Sequence, residues 1–488
     1  MQEIPNWLKQ RAMLTPKRVA LVFNEEKWTF KDLVHHSKQM AGKIAHYPLK
    51  KGDAVAVLLK NRPHTVWIIH ALQQLGMQTV FLNHRLTTSE LVFQIKDSKA
   101  KLLITEAEFA YVGKKIKREH DDLLTTTVKE LENNAVCEVE SRDVFSLDEV
   151  CSIMYTSGTT GHPKGVLQTY GNHWWSAIGS VLNMGLNEKD AWLCTVPLFH
   201  ISGLSIIIRS IVYGIPVYLK EHFSEVEVNE LLKTGKVTIM SVVSTMLQRM
   251  IRSLGSDTYA NTFRCMLLGG GPAPIPLLET CKEKNIPVFQ TYGMTETASQ
   301  IVTLSPEDSL AKLGSAGKPL FPAQVKIIAE GKEVAAMEPG EITVKGPNVT
   351  IGYLNRPKAN RESFVDGWFA TGDIGYVDEE GYLYVLDRRS DLIISGGENI
   401  YPAEIEEVLL SHPAIIDAGV AGVEDQKWGQ VPYGFVVAAT DISSDEIISY
   451  CEQKLAAYKL PKKIIFCDSL PRNAANKLLR RKLVQFLK

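Results

Sequence analysis

The chain has 488 residues, with 54 lysines and arginines against 55 aspartates and glutamates, so no global field draws it to nucleic acid or to an acidic membrane surface. Its length predicts roughly two to four domains with ample buried core, and its partners are expected to be small molecules. Seven cysteines without a C-x-x-C pair argue against a zinc ribbon and predict reduced, structural thiols.

The opening MQEIPNWLKQR lacks the apolar centre of a signal peptide. The most apolar long stretch, residues 204–219, is broken by Arg209 and Gly214. A soluble cytoplasmic protein without membrane insertion is the expectation. Residues 29–46 then place Leu33, Val34, Ser37, Met40, Ala41 and Ile44 on one helical stripe, and residues 54–59 read as a strand. Further strands are expected at 79–82, 101–105 and 151–155. The last of these runs into Thr156-Ser157-Gly158-Thr159-Thr160-Gly161-His162-Pro163-Lys164-Gly165, with a helix opening near Gly171. Small residues, hydroxyls and one lysine packed this densely suit a loop at a strand's carboxyl end that wraps polyphosphate. It is not a Walker loop, because Lys164 follows proline and precedes glycine.

Strands are expected again at 192–196, 215–219, 238–243, 264–268 and 286–289, separated by segments of helical length. That alternation predicts an α/β fold: a large N-terminal domain of layered, mostly parallel sheets covered by helices. From about residue 315 the texture changes to short strands with glycine and proline turns, a small β-rich subdomain. The polar run Asp387-Arg388-Arg389-Ser390-Asp391 between two apolar segments marks the boundary, giving domains 1–389 and 390–488. In the second, Pro402 begins a helix whose Ile405, Val408 and Leu409 face inward, within a small α+β domain.

Four more segments join the opening loop: Phe199-His200-Ile201-Ser202-Gly203, Tyr292-Gly293-Met294-Thr295-Glu296, Trp368-Phe369-Ala370-Thr371-Gly372-Asp373 and Ser395-Gly396-Gly397-Glu398-Asn399-Ile400-Tyr401-Pro402. In this order, followed by Pro471-Arg472-Asn473 and Lys477, they resemble the adenylate-forming superfamily of acyl-CoA synthetases, luciferases and peptide-synthetase adenylation domains. The resemblance spans nearly the whole chain. The compact length and the opening IPNWLKQRAMLTPKRVAL are most similar to the bacterial branch that ligates 2-succinylbenzoate to CoA in menaquinone biosynthesis. It implies an AMP-forming acid–thiol ligase that uses ATP, Mg²⁺ and CoA, with a C-terminal lid domain rotating about a hinge near Ser390. At that position many relatives carry Asp or Lys.

The resemblance also implies roles. Thr156, Ser157, Gly158, Thr159, Thr160, Gly161 and Lys164 would hold the β- and γ-phosphates, Thr295 would touch the α-phosphate, and Glu296 would hold Mg²⁺. Gly269, Gly270, Gly271 and Tyr292 would enclose the purine, while Asp373 and Arg388 would reach the ribose. Lys477 would supply the cation for adenylation, although many relatives place glycine before it and this chain has Asn476. Gly396 and Gly397 would line a pantetheine tunnel whose mouth His200 gates. Ser241, Ser244, Thr245, Ser299 and Gln300 suit an oxygen-bearing aromatic acid or are satisfied buried hydroxyls. Arg209 either neutralises a second substrate carboxylate or sits on a helix surface. The alternatives are a ligase for another aryl or medium-chain fatty acid, a carrier-protein loader, and a non-catalytic adenylate sensor; a homo-oligomer is open.

Overall fold

The computed structural model describes residues 2–140, 142–156, 163–270, 275–387, 392–471, 478 and 480–487. Its first layer is built around Ala54–Leu58, AVAVL, buried along its whole length. A strand apolar at every position is covered on both faces, and parallel pairing supplies that cover. Gln78–Phe81 and Leu102–Thr105 flank it in parallel, and Leu124–Thr127 and Val150–Thr156 extend the sheet outward. The helices between them carry legible boundaries. Phe30–Ile44 starts with a capping box between Thr29 and Asp32; Pro63–Leu75 has proline in its first turn and ends at Gly76, whose φ of 71° is left-handed.

A second, 15-stranded sheet begins as a parallel run. Val19–Phe23, Val217–Leu219, Trp192–Cys194, Ile239–Val243, Cys265–Gly269 and Val288–Met294 lie side by side in that order. It then turns antiparallel through Ser299–Leu304 and Ser315–Pro319 and curls into the β-rich subdomain that contains Trp368–Val377 and Leu383–Asp387. The two sheets are tied where strands end. Arg62 donates from Nε to Glu221 at 2.8 Å and also pairs with Glu106, joining segments that follow Ala54–Leu58, Leu102–Thr105 and Val217–Leu219. Hydrogen bonding from Arg62 holds the Glu221 carboxyl down to about 2.

The small C-terminal domain is a separate five-stranded sheet. Its long hairpin, Ile415–Asp425 with Gly429–Ala438, packs helices Pro402–Leu410 and Ser444–Glu452 around Ile393, Ile405, Leu409, Val420 and Ile447. The expected boundary at Ser390 lies outside the described residues.

One expectation is corrected. The segment expected to wrap polyphosphate does not lead from strand to helix, because Lys164–Thr169 is itself a strand, antiparallel to Val150–Thr156 with Lys164 opposite Thr156. Its Lys-Gly start hid it from a pattern search. The helix follows at Tyr170–Met184. All seven cysteines are unpaired, five of them buried, and no helix of the described residues is long and apolar enough to cross a membrane.

Helix Ile201–Tyr213 begins against the segment that precedes it. A Cβ added to Gly203 would lie 2.2 Å from the Pro197 carbonyl oxygen. Gly203→Ala should therefore destabilise the fold by about 1–3 kcal/mol, read from denaturant unfolding; an unchanged midpoint would contradict this packing.

Candidate active site

His200 caps the helix Ile201–Tyr213 from the preceding loop. A buried amide fixes that loop: Asn61 Nδ2 donates to the Val196 carbonyl at 2.9 Å, and Asn61 Oδ1 accepts from the Leu198 N–H at 2.9 Å. His200 thus stands at a fixed point on the wall of a cavity of about 240 Å³. Thr156, Gly269, Gly270 and Thr295 line the same cavity at strand ends. Gly270 has a φ of 85°, which favours a residue without Cβ, and a Cβ on Gly269 would meet Thr291 at 3.0 Å.

Thr295 opens a single 3₁₀ turn, Thr295–Thr297, after Val288–Met294, and Gln168 Nε2 holds its carbonyl at 2.8 Å. Ala298 and Ser299 follow with φ of 51° and 102°, both in the left-handed region that non-glycine residues avoid. Strain of this kind persists where the surroundings over-determine it. Here the Ser176 hydroxyl donates to the Ala298 carbonyl at 2.6 Å and Thr297 Oγ1 donates to the Ser299 carbonyl at 2.6 Å.

Two satellite pairs flank this centre. The Tyr292 hydroxyl donates to Asp373 Oδ2 at 2.8 Å, and both side chains are buried. The Tyr353 hydroxyl donates to Glu296 Oε1 at 2.9 Å, with Lys164 Nζ 5.0 Å above the Tyr353 ring. Thr156, Lys164 and Glu296 are therefore neighbours through strand pairing and one tyrosine. Glu296 offers a hard oxygen donor of the sort Mg²⁺ takes together with phosphate oxygens and water, so the residues present fit that ion.

The small domain closes the other side. Gly396 and Gly397 form the two-residue turn of the hairpin Ile393–Ser395 and Glu398–Ile400, with φ of 57° and 88°. Two positive φ values in succession in a hairpin turn favour glycine. The turn delivers Glu398 into the large domain. Arg85 Nη1 donates to Glu398 Oε1 at 2.5 Å, and His200 Nε2 lies 3.2 Å from Oε2. Burial would raise the Glu398 carboxyl, but the charges and hydrogen bonds of His200 and Arg85 outweigh it and hold it at about 2. A second clasp is buried more deeply. Lys459 Nζ donates to Glu404 at 2.7 Å within its own domain and to Glu90 of the large domain at 2.6 Å. Burial opposes the charge on Lys459, and the two carboxylates restore it.

Arg85, Glu90, Glu404 and Lys459 carry no local signal in sequence; Arg85 and Glu90 pair across more than three hundred residues, and Glu404 pairs with Lys459 across 55. Among expected acyl-pocket residues, Ser241, Ser299 and Gln300 line the cavity, whereas Ser244 and Thr245 begin a helix outside the lining. Arg209 lines it too and is 1 % exposed, which excludes a helix surface. Ser157, Gly158, Thr159, Thr160, Gly161, Gly271, Arg388 and Lys477 lie outside the described residues. Leu478, which follows Lys477, packs with Phe435, Leu470 and Leu483 rather than lining the cavity.

Because the Glu398 pKa is depressed when the domains dock, its contribution is complete above the ordinary value of 4.5 and is lost as pH falls toward 2. Small-angle scattering should find the docked dimensions at pH 5 and Glu398→Gln expanded already at pH 7. A Gln variant with the parent's dimensions at pH 7 would contradict the clasp.

Comparison with known proteins gives this constellation a family. The AMP-binding enzyme model matches residues 8–354, and the AMP-binding enzyme C-terminal domain matches residues 404–477. A 2-succinylbenzoate–CoA ligase of Geobacillus kaustophilus is 57 % identical, the match covering 100 % of this chain and 99 % of that protein. Solved structures of o-succinylbenzoate CoA synthetase from Bacillus subtilis also match. A double mutant bound with its product analogue OSB-NCoA has a TM-score of 0.95 at 52 % identity, covering 99 % of each chain. The complex with the acyl-adenylate intermediate OSB-AMP has a TM-score of 0.79 at 52 % identity, covering 99 % and 98 %. The complex with ATP and magnesium has 0.78 at 51 %, covering 99 % and 100 %. A buried tyrosine–aspartate pair and a small domain closing over one cavity are thus arranged on a chain that belongs to the AMP-binding enzyme family.

Proposed function

We propose that this chain joins 2-succinylbenzoate to CoA in two steps at one cavity. In the first, a substrate carboxylate oxygen attacks the α-phosphorus of ATP, forming the acyl-adenylate and releasing pyrophosphate. Two anions must approach, so donors and cations have to be in place beforehand. Thr156, Lys164 and residues 157–161 hold the β- and γ-phosphates, and Thr295 meets the α-phosphate. Gly269, Gly270, Gly271 and Tyr292 enclose the purine, and Asp373 with Arg388 takes the ribose hydroxyls. Glu296 holds Mg²⁺, which when bound neutralises phosphate charge. Lys477 supplies the cation at the carboxylate–phosphate junction.

In the second step the CoA thiol sulfur attacks the acyl carbonyl, the thiol proton departs, and AMP leaves with the bonding electrons. The Gly396–Gly397 turn admits the pantetheine arm, and Glu398 fixes the ring of His200 beside the reacting carbonyl. Domains 1–389 and 390–488 change their mutual orientation about Ser390 between the steps, which separates Lys477 chemistry from thiol chemistry. The observation that carries the reading is the uneven likeness to one relative. At nearly equal identity the chain superposes far better on the product-analogue complex than on the OSB-AMP or ATP complexes. Sequence divergence cannot produce that difference, whereas domain orientation can. Seven unpaired cysteines fit a reducing cytoplasm.

A panel of acids with ATP and CoA tests the proposal through AMP and thioester formation. Turnover of 2-succinylbenzoate should exceed that of benzoate and octanoate by at least about 100-fold in kcat/KM, the discrimination expected when one substrate satisfies buried polar groups and the other leaves them unpaired. Comparable turnover of the simple acids would overturn the substrate assignment. Absence of acid-dependent pyrophosphate release would favour an adenylate sensor.

A further inference from the structure

Four consecutive carbonyls, from Thr295 to Ala298, are each held by a donor outside the turn that presents Thr295 and Glu296. The Thr295 carbonyl accepts from Gln168 Nε2 at 2.8 Å and the Glu296 carbonyl from the Thr350 N–H at 2.7 Å. The Thr297 carbonyl accepts from Asn348 Nδ2 at 3.0 Å and the Ala298 carbonyl from Ser176 Oγ at 2.6 Å. A single 3₁₀ turn has few bonds of its own, so these donors set its shape. Two of the four lead back to the strand Lys164–Thr169. Gln168 belongs to it, and Thr350, whose N–H holds Glu296, donates from Oγ1 to the Leu167 carbonyl. Pairing is regular from Lys164 to Gln168, so Lys164, Val166 and Gln168 share one face of the strand. Lys164 and Gln168 thus stand roughly 13 Å apart along it, at 3.3 Å per residue. Between them Val166 is fully buried, in the cluster that contains Tyr292 and Tyr353.

The Gln168 side chain is fully buried, and both ends of its amide are used. A backbone carbonyl only accepts, so the amide nitrogen must face Thr295 and the amide oxygen must face Ser152 on the paired strand. Ser152 Oγ donates to Gln168 Oε1 at 2.9 Å, which uses the one proton of the hydroxyl. His173, on helix Tyr170–Met184, has its Nε2 2.8 Å from the same Oγ and therefore donates to it. That histidine is neutral, its pKa lowered to about 3 by burial and then by the charge of Arg209. Donation runs one way, from His173 to Ser152, to Gln168, to the Thr295 carbonyl. With its oxygen held by Ser152, the amide is locked with its nitrogen toward Thr295, and a fully satisfied buried network of this kind is rigid.

We propose that Gln168 is a positioning residue of the adenylation step, fixing the Thr295 turn in register with Lys164 so that the groups at the α-phosphate and at the β- and γ-phosphates are held as one unit. This rests on the ligase reading above. Charge develops at phosphorus during the attack, and donors help most when they are in place beforehand. Without the amide, the Thr295 carbonyl loses the donor that ties it to the strand. The turn already leads into positive φ values at Ala298 and Ser299, and strain of that kind relaxes once the surrounding contacts are removed. A displacement of about 1 Å at the reacting group costs on the order of 100-fold in rate. Contacts to the purine and ribose lie elsewhere, at Tyr292 and Asp373, so ATP still binds while its α-phosphate meets a misplaced Thr295.

The test measures acid-dependent pyrophosphate release from ATP and 2-succinylbenzoate in the parent enzyme, Gln168→Met, Gln168→Glu and Ser152→Ala. Gln168→Met should lower kcat by about 100-fold while KM for ATP stays within about threefold. Added to Thr295→Ala it should cost little more than Thr295→Ala alone, since nothing is left to position. Burial raises a carboxyl pKa, so the side chain of Gln168→Glu donates to the Thr295 carbonyl while protonated and repels it once ionised. Its rate relative to the parent should therefore fall as pH rises. Ser152→Ala, which keeps the amide but unlocks it, should show a smaller loss of kcat. Parent-like kcat in folded Gln168→Met, additive losses with Thr295→Ala, or a Gln168→Glu ratio that is flat with pH would each overturn the proposal. If Gln168→Met does not fold, Ser152→Ala decides, and a parent-like kcat there overturns it equally. A parent enzyme that releases no pyrophosphate with any acid removes the ligase reading itself, and this proposal with it.

Discussion

The arrangement of the cavity depends on charges removed from water at the seam between two domains. Glu398 and Lys459 are each almost fully buried, and each finds its partner on the large domain. A buried ion is tolerated only when paired, so these contacts are close to all-or-none. Docked, Glu398 meets Arg85 and His200, and Lys459 meets Glu90. Undocked, both regain water. The seam can therefore open without leaving a bare charge in a dry interior, which a seam of interlocked apolar side chains would not permit so readily.

This bears on how one cavity serves two reactions. Of the described residues proposed to grip the nucleotide, Thr156, Lys164, Gly269 and Tyr292 belong to strands and Thr295 to a strained turn that Ser176 and Thr297 hold in place. The Gly396–Gly397 turn and Glu398 arrive from the small domain. His200 stands between them, fixed on one side by the loop that Asn61 pins and on the other by Glu398. A group that a carboxylate orients only in the docked state has its orientation set by domain position, which couples the chemistry at the reacting carbon to the geometry of the whole molecule.

Much of this was legible in the chain. The buried strand Ala54–Leu58 and the helix stripe from Leu33 to Ile44 follow from apolar spacing, and the helix Pro402–Leu410 from its leading proline. Motif order named the residues proposed to bind the nucleotide, and the hairpin with two positive-φ glycines explains why Gly396 and Gly397 stand together. The strand Lys164–Thr169 was missed because its pairing with Val150–Thr156, rather than its own composition, makes it a strand. Arg85, Glu90 and Lys459 were missed for a related reason: a salt bridge between distant segments leaves no periodic trace. Arg209 was ambiguous, since a single charge in an apolar helix reads equally as a surface residue or as a buried anchor; only burial decides.

The account turns on the claim that the seam is a reversible electrostatic latch. Spin labels at exposed Leu182 and Ile416, with Cys137 and Cys467 replaced by serine, measure the distance between the domains directly. One population is expected without nucleotide, a second when ATP is added, and a gain of at least about tenfold in that second population on Lys459→Met without nucleotide, since breaking a buried pair costs several kcal/mol. A single distance, unmoved by ATP and by Lys459→Met alike, would contradict it.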